Sequence, residues 1–266
     1  MERSVRCGRI KENTFSNKNN DGFIFQARIK PSAFFGRIVN GEDAQSGEIP
    51  YQVSLQTWYN FHFCGGAVLT KNYVITAAHC VVDIAFNDIK IIAGSTNLND
   101  PQSTHAVEKI IIHEDYTPDD SWRNDIALIK IKSEFNISSI LNYVSLPFLH
   151  QKIPAGSIAI VSGWGRLWQN GPSMSILQKA QVFIASQEYC ENINAKEGLT
   201  VHSSHICAIA HTTETGSCHG DSGGPLTVDG KLVGLVSWGV ECGSTKYPTV
   251  YTRVSEYLNW IDENVV

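Results

Sequence analysis

A serine set among glycines is the first place in this chain where chemistry is legible. It lies in Gly220-Asp221-Ser222-Gly223-Gly224-Pro225. Small neighbours let a substrate carbonyl reach the hydroxyl, and glycine backbone lets amide N–H groups turn toward that carbonyl. The same composition also makes an ordinary Gly-rich turn, so the run needs support from elsewhere in the chain. A serine hydroxyl is a weak nucleophile at neutral pH. It needs a base within hydrogen-bond reach, and the base needs a partner that fixes its tautomer. Of nine histidines, His79 stands out, in Thr76-Ala77-Ala78-His79-Cys80 after the apolar Tyr73-Val74-Ile75. The orienting acid is Asp125, which opens the apolar run Ile126 to Ile131. A charge is rarely carried into a strand without a partner.

These segments resemble those of the chymotrypsin-like serine peptidases. TAAHC at 76–80, DIAL at 125–128 and GDSGGP at 220–225 occur in the His, Asp, Ser order that separates this family from the subtilisin and α/β-hydrolase orders. Further matches are Ile38-Val39-Asn40-Gly41, Cys64-Gly65-Gly66, Gly163-Trp164-Gly165, Ser237-Trp238-Gly239 and Val250-Tyr251-Thr252-Arg253-Val254, so the likeness covers 38–266. It implies a serine-type endopeptidase in which Ser222 attacks the scissile carbonyl, His79 carries the proton and Asp125 orients His79. The backbone N–H groups of Gly220 and Ser222 are the implied oxyanion hole, and Ser237 matches the position that bonds the buried aspartate. A non-catalytic binding protein on the same fold is the rival from another class; the intact His79, Asp125 and Ser222 speak against it.

The resemblance also implies where specificity resides. Gly216, six residues before Ser222, matches the base of the pocket for the residue before the scissile bond, with Ser217 beside it and Gly239 and Thr249 as walls. Trp238 and Gly239 are expected to offer backbone groups to an extended substrate. No carboxylate occupies these positions, so a substrate Lys or Arg would be desolvated without a partner. The expectation is a neutral pocket for medium to large apolar side chains. Thr249 keeps an elastase-like preference as an alternative, and Glu241 stands near the rim. A dedicated extracellular cascade protease is a further alternative.

A zymogen switch is implied as well. Arg37 precedes Ile38, and in the family cleavage there frees an ammonium that pairs with the aspartate before the catalytic serine, here Asp221. Before cleavage, His62 and Ser54 match the inactive-state partners of that aspartate. Residues 1–37 are polar, Asn-rich at 17–20 and without sustained periodicity, and read as a pro-segment. They carry eight basic and three acidic residues, against 13 and 23 in the remainder. The acidic main domain disfavours nucleic acid as a partner. Expected partners are polypeptide substrates, an activating trypsin-like protease and protein protease inhibitors, with no membrane partner and a monomeric state.

Seven cysteines point to an oxidising compartment. Spacing does not fix their connectivity; the resemblance implies Cys64–Cys80, Cys190–Cys207 and Cys218–Cys242, leaving Cys7 over. CxxC pairs are absent, which weakens a zinc reading, and Ala93-Gly94-Ser95-Thr96-Asn97 lacks an opening acid for calcium. No metal and no cofactor are expected. Met1 to Arg9 carries no apolar signal-peptide core, yet the disulfides favour an extracellular protein, so the reading prefers an incomplete or misassigned start. Asn136-Ile137-Ser138 is a glycosylation tripeptide.

The elements that must position these residues read as strands. Tyr51, Val53 and Leu55 alternate with Gln52, Ser54 and Gln56. Other strand candidates are 89–93, 106–112, 126–131, 157–162, 231–237 and 250–254, with almost no helical periodicity until the end. This suggests an all-β barrel or sandwich. The resemblance makes it two six-stranded antiparallel barrels, roughly 38–145 and 146–254, with the site between them. Ser255 can cap a helix, and Leu258, Ile261 and Val265 share a face, so 255–264 reads as a terminal amphipathic helix.

Overall fold

The computed structural model describes residues 39–168 and 170–266. The expected pro-segment, Cys7, Arg37 and Ile38 lie outside the described residues. After the short β1 (Glu42–Asp43), a first closed barrel is built from β2 (Gln52–Thr57), β3 (His62–Val68), β4 (Tyr73–Thr76), β5 (Ile89–Ala93), β6 (Ser103–Ile112) and β7 (Ala127–Ile131). Their order around the barrel is β2-β3-β4-β7-β6-β5. The second comprises β8 (Ile158–Gly163), β9 (Gln178–Ile184), β10 (His205–Ile209), β11 (Pro225–Val228), β12 (Lys231–Trp238) and β13 (Thr249–Arg253), closed by pairing of β8 with β9. All named strand pairs are antiparallel.

Each barrel is filled by β-branched and aliphatic side chains, which suit a pleated, buried surface. Val53, Leu55, Ile91 and Ile129 are wholly enclosed in the first; Val161, Leu226 and Val182 lie in the second. Truncating one such residue to alanine is expected to cost about 2–5 kcal/mol. Asp229 and Gly230 join β11 to β12, both at positive φ (49° and 74°). That is what a two-residue turn matched to strand twist requires.

The alternation in β2 has a different meaning from solvent-out, core-in. Gln52, Ser54 and Gln56 are all buried. This polar face meets the second barrel, where the Ser162 hydroxyl donates to Gln52 Oε1 at 2.6 Å. The barrels are further held by an apolar layer joining Tyr73, Ile75 and Leu128 to Leu232, Leu235, Trp260 and Ile261.

Two helices differ from the sequence expectation. α1 (Gln187–Ala195) was not expected; it is capped by Ser186, whose hydroxyl oxygen accepts from Tyr189 N, and pinned by Cys190–Cys207. The terminal helix does not begin at 255. Val254–Glu256 is a 3₁₀ turn, and α2 runs Leu258–Asn264. Ser255 does not cap it, because its hydroxyl donates to Gln151 O inside that turn. Tyr257 holds the cap position without a side-chain bond.

Candidate active site

His79 sits in a 3₁₀ turn, Ala78–Cys80, directly after β4. The disulfide Cys64–Cys80 ties that turn to β3. Asp125 enters from the other side, immediately before β7, and is fully buried. Its carboxylate accepts from the His79 amide (2.9 Å), from His79 Nδ1–H (2.8 Å) and from the Ser237 hydroxyl (2.5 Å). The last donor comes from β12 of the second barrel, so the dyad bridges both barrels. Thr252 on β13 adds a bond to the Asp125 carbonyl at 2.7 Å. With Nδ1–H committed to Asp125, Nε2 is the unprotonated nitrogen, the tautomer that a general base needs; it lies 3.8 Å from Cys80 Sγ.

Ser222 is half-buried and lines the same cavity as His79. Its backbone is clamped from the first barrel: Gly65 N donates to Ser222 O at 2.7 Å, and Thr76 Oγ1 donates to Gly65 O at 2.8 Å. Gly220 takes φ +98°, a region that favours glycine. Among the described residues, neither the Gly220 nor the Ser222 amide takes an acceptor, so two donors remain for a developing oxyanion.

Asp221 is also fully buried and points away from the dyad. Gly165 N (2.8 Å) and Cys218 N (2.9 Å) donate to its two oxygens. A side chain at Gly165 would collide with this carboxylate. Burial pushes the Asp221 carboxyl up to about 7, against the pull of the two amides. His62 does not partner Asp221 here, contrary to the inactive-state arrangement expected for it. Its Nδ1 meets the Ser54 hydroxyl at 2.7 Å, and its Nε2 meets Gly220 O at 2.9 Å. A carbonyl can only accept, so Nε2 carries the proton and Nδ1 accepts from Ser54. Burial holds His62 down to about 4, a neutral ring. The chain Ser54–His62–Gly220 thus fixes the peptide between Gly220 and Asp221.

The cavity beside Ser222 measures about 310 Å³. Ser217, Trp238, Gly239 and Thr249 line it, and Cys218–Cys242 braces one wall. Gly216 does not line it. That glycine is buried in an antiparallel bridge with Val39, at φ +144°. The floor is made instead by Ser217, whose hydroxyl lies 3.4 Å from Thr249 Oγ1 and 3.3 Å from Tyr251 OH. Glu241 is the one carboxylate of the lining, exposed and tied by the Ser244 hydroxyl at 2.9 Å.

Four lining residues were not singled out from the sequence: Trp122, whose ring centroid lies 6.1 Å from that of Trp238, and His219, Val236 and Val240. A lone tryptophan in the polar stretch Asp119-Asp120-Ser121-Trp122-Arg123 was the available signal. Cys64, His79 and Cys80 bring three metal-type ligand atoms together. Two of them are sulfurs spent in a disulfide, which removes the thiolates a metal would use.

A nucleophile, a base with a fixed tautomer, a buried acid and two free amides are the parts of acyl transfer. The Trypsin family model matches residues 38–261. "Chymotrypsin-2" of Vespa crabro is 39% identical over 229 residues, 85% of this chain and 99% of that protein. "Trypsin" of Sarcophaga bullata is 37% identical over 88% of this chain and 91% of its own. "Hypodermin-B" of Hypoderma lineatum is 36% identical over 86% and 88%. With its two closed barrels and this match across most of its length, the chain belongs to the trypsin family of serine proteases and is a serine-type endopeptidase.

Proposed function

We propose that this endopeptidase is made as a secreted precursor, is switched on by cleavage after Arg37, and cuts polypeptides after medium to large apolar residues. Ser222 Oγ attacks the scissile carbonyl while its proton passes to His79 Nε2. The tetrahedral oxyanion is held by the Gly220 and Ser222 amides. His79 then gives the proton to the leaving amine, and the acyl-enzyme is hydrolysed by water in a second, mirrored step. Asp125 stabilises the imidazolium formed in each half.

The observation that carries the specificity is the chemistry of the cavity floor. Ser217 and Thr249 offer hydroxyls and no charge, and Tyr251 OH backs Ser217 from the core. A substrate Lys or Arg would give up its hydration there without a counter-ion. Glu241 is at the rim, already bonded to Ser244. Gly239 leaves the entrance open, and the methyl of Thr249 limits the depth, which favours Leu and Met alongside Phe and Tyr. An elastase-like preference is the second reading, and it rests on Thr249 alone.

The buried Asp221 supports the activation step. It has two amide donors and, among the described residues, no cation. An ammonium freed at Ile38 would complete it and stiffen the turn bearing the oxyanion hole. A trypsin-like protease is the fitting activator because Arg37 precedes the bond. Protein protease inhibitors are expected to occupy the same cleft, and the catalytic domain to act as a monomer. Three disulfides support an extracellular site of action. A positional-scanning peptide digest with protein cleaved after Arg37 tests the specificity. The expected profile peaks at Leu, Met, Phe and Tyr before the cut; a preference for Arg or Lys there overturns it.

A further inference from the structure

A second cavity, of about 590 Å³, lies where the loop around Ile153, the end of β9, the start of α1 and the end of β13 meet. It shares no lining residue with the cavity beside Ser222. One part of its wall is aliphatic: Ile153, Ala155, Ile184, Ala185 and Ile206. Its polar end is built around Arg253, and Lys152 also lines the cavity.

Arg253 is held rigidly. Its Nε donates to Ser203 O at 3.0 Å, and its Nη2 donates to Gln187 Oε1 at 2.8 Å and to His205 O at 2.6 Å. These bonds use three of the five guanidinium N–H donors. The two on Nη1 take no acceptor among the described residues. Glu256 is the one carboxylate in this lining, and His150 Nδ1 meets it at 2.8 Å. The cavity therefore joins an immobilised cation with unused donors, a second cation and an apolar wall. A planar guanidinium with free N–H groups matches a carboxylate, and an apolar wall with a few placed polar groups is the usual form of a small-molecule site.

We propose that this cavity binds a carboxylate carried on a short aliphatic body, with Arg253 and Lys152 meeting the carboxylate and the isoleucines meeting the chain. Two sources carry that chemistry: a free medium-chain acid, and the C-terminus of a peptide ending in an aliphatic residue. Calorimetric titration of the intact chain with octanoate and with N-acetyl-leucine tests it. No turnover is involved, so the outcome is independent of the proposed peptide specificity.

The expected result is saturable one-to-one binding of at least one of the two. Octanoate alone identifies the free acid, and N-acetyl-leucine identifies the peptide terminus. The matching amides, octanamide and N-acetyl-leucinamide, should bind about tenfold or more weakly, because a charged hydrogen-bond partner is lost. Arg253→Gln should weaken binding to a similar degree. Lys152→Glu and Ala155→Trp change exposed positions and keep the test open if Arg253→Gln does not fold; each should also weaken binding. The proposal is overturned by the absence of saturable binding, by equal affinity for acid and amide, or by unchanged affinity in Ala155→Trp.

Discussion

Two carboxylates of this site are wholly buried, Asp125 behind His79 and Asp221 preceding Ser222 in the chain, and they are built in opposite ways. Asp125 accepts an amide, an imidazole and a hydroxyl, and the hydroxyl comes from the other barrel. Asp221 accepts two backbone amides and nothing more among the described residues, and burial raises its carboxyl to about 7. A buried charge without a matched partner is costly. The first site is completed by the fold itself. The second holds no cation among the described residues. On the activation proposed above, the dyad is assembled by the fold alone, whereas the turn Ser217–Ser222 awaits the new N-terminus.

Substitutions test this contrast directly, and the largest effects belong to the completed site. Ser222→Ala and His79→Ala are expected to lower kcat by about 10⁴–10⁶, and Asp125→Asn by about 10⁴, since tautomer control is lost while the fold survives. Peptide hydrolysis by the protein cleaved after Arg37 measures all three.

Asp221→Asn should cost less, about 10²–10³ in kcat, the scale of one misplaced oxyanion donor. It should also behave differently in the uncleaved chain. The folded carboxyl of Asp221 lies above its unfolded value of 3.8. Its contribution to stability is then full below about pH 4 and is lost as pH rises through about 7. Uncleaved wild type should therefore have a lower urea midpoint at pH 8 than at pH 5, and Asp221→Asn should flatten that difference. If Asp221→Asn leaves the difference between pH 5 and pH 8 unchanged, the contrast between the carboxylates is broken.

The smallest effect sharpens the account of Asp125. Ser237→Ala removes one hydroxyl donor from a buried carboxylate, worth about 1–3 kcal/mol. About a tenfold fall in kcat/KM is expected, with KM for single-residue esters unchanged.

The reacting groups were legible because each sits in a short, unusual local pattern. Asp125 at the head of an apolar strand and Ser222 among glycines need no tertiary context to be noticed. What was not legible depends on how the chain closes on itself. Gln52, Ser54 and Gln56 read only as the polar half of an alternation, yet all three are buried, Gln52 against Ser162 of the second barrel and Ser54 against His62. Gly216 reads as a pocket floor, yet it is bridged to Val39, and Ser217 next to it lines the cavity. α1 is short and mostly polar, with Cys190, Ile193 and Asn194 alone turned inward, too little apolar periodicity to register. Its hold on the fold comes from a disulfide and a cap. His62 and Ser54 read as partners of Asp221, yet His62 bonds Ser54 and, through its other nitrogen, the Gly220 carbonyl, which sequence carries no mark of.

On the proposed activation, Ser222 becomes competent only when a new N-terminus at Ile38 completes Asp221. Labelling of Ser222 by a phosphonate ester, followed over time, measures that competence without depending on peptide preference. The intact chain and an uncleaved Arg37→Gln variant should label about 10²-fold or more slowly than protein cleaved after Arg37. An Arg37→Gln chain that stays intact yet labels as fast as the cleaved protein would contradict the account.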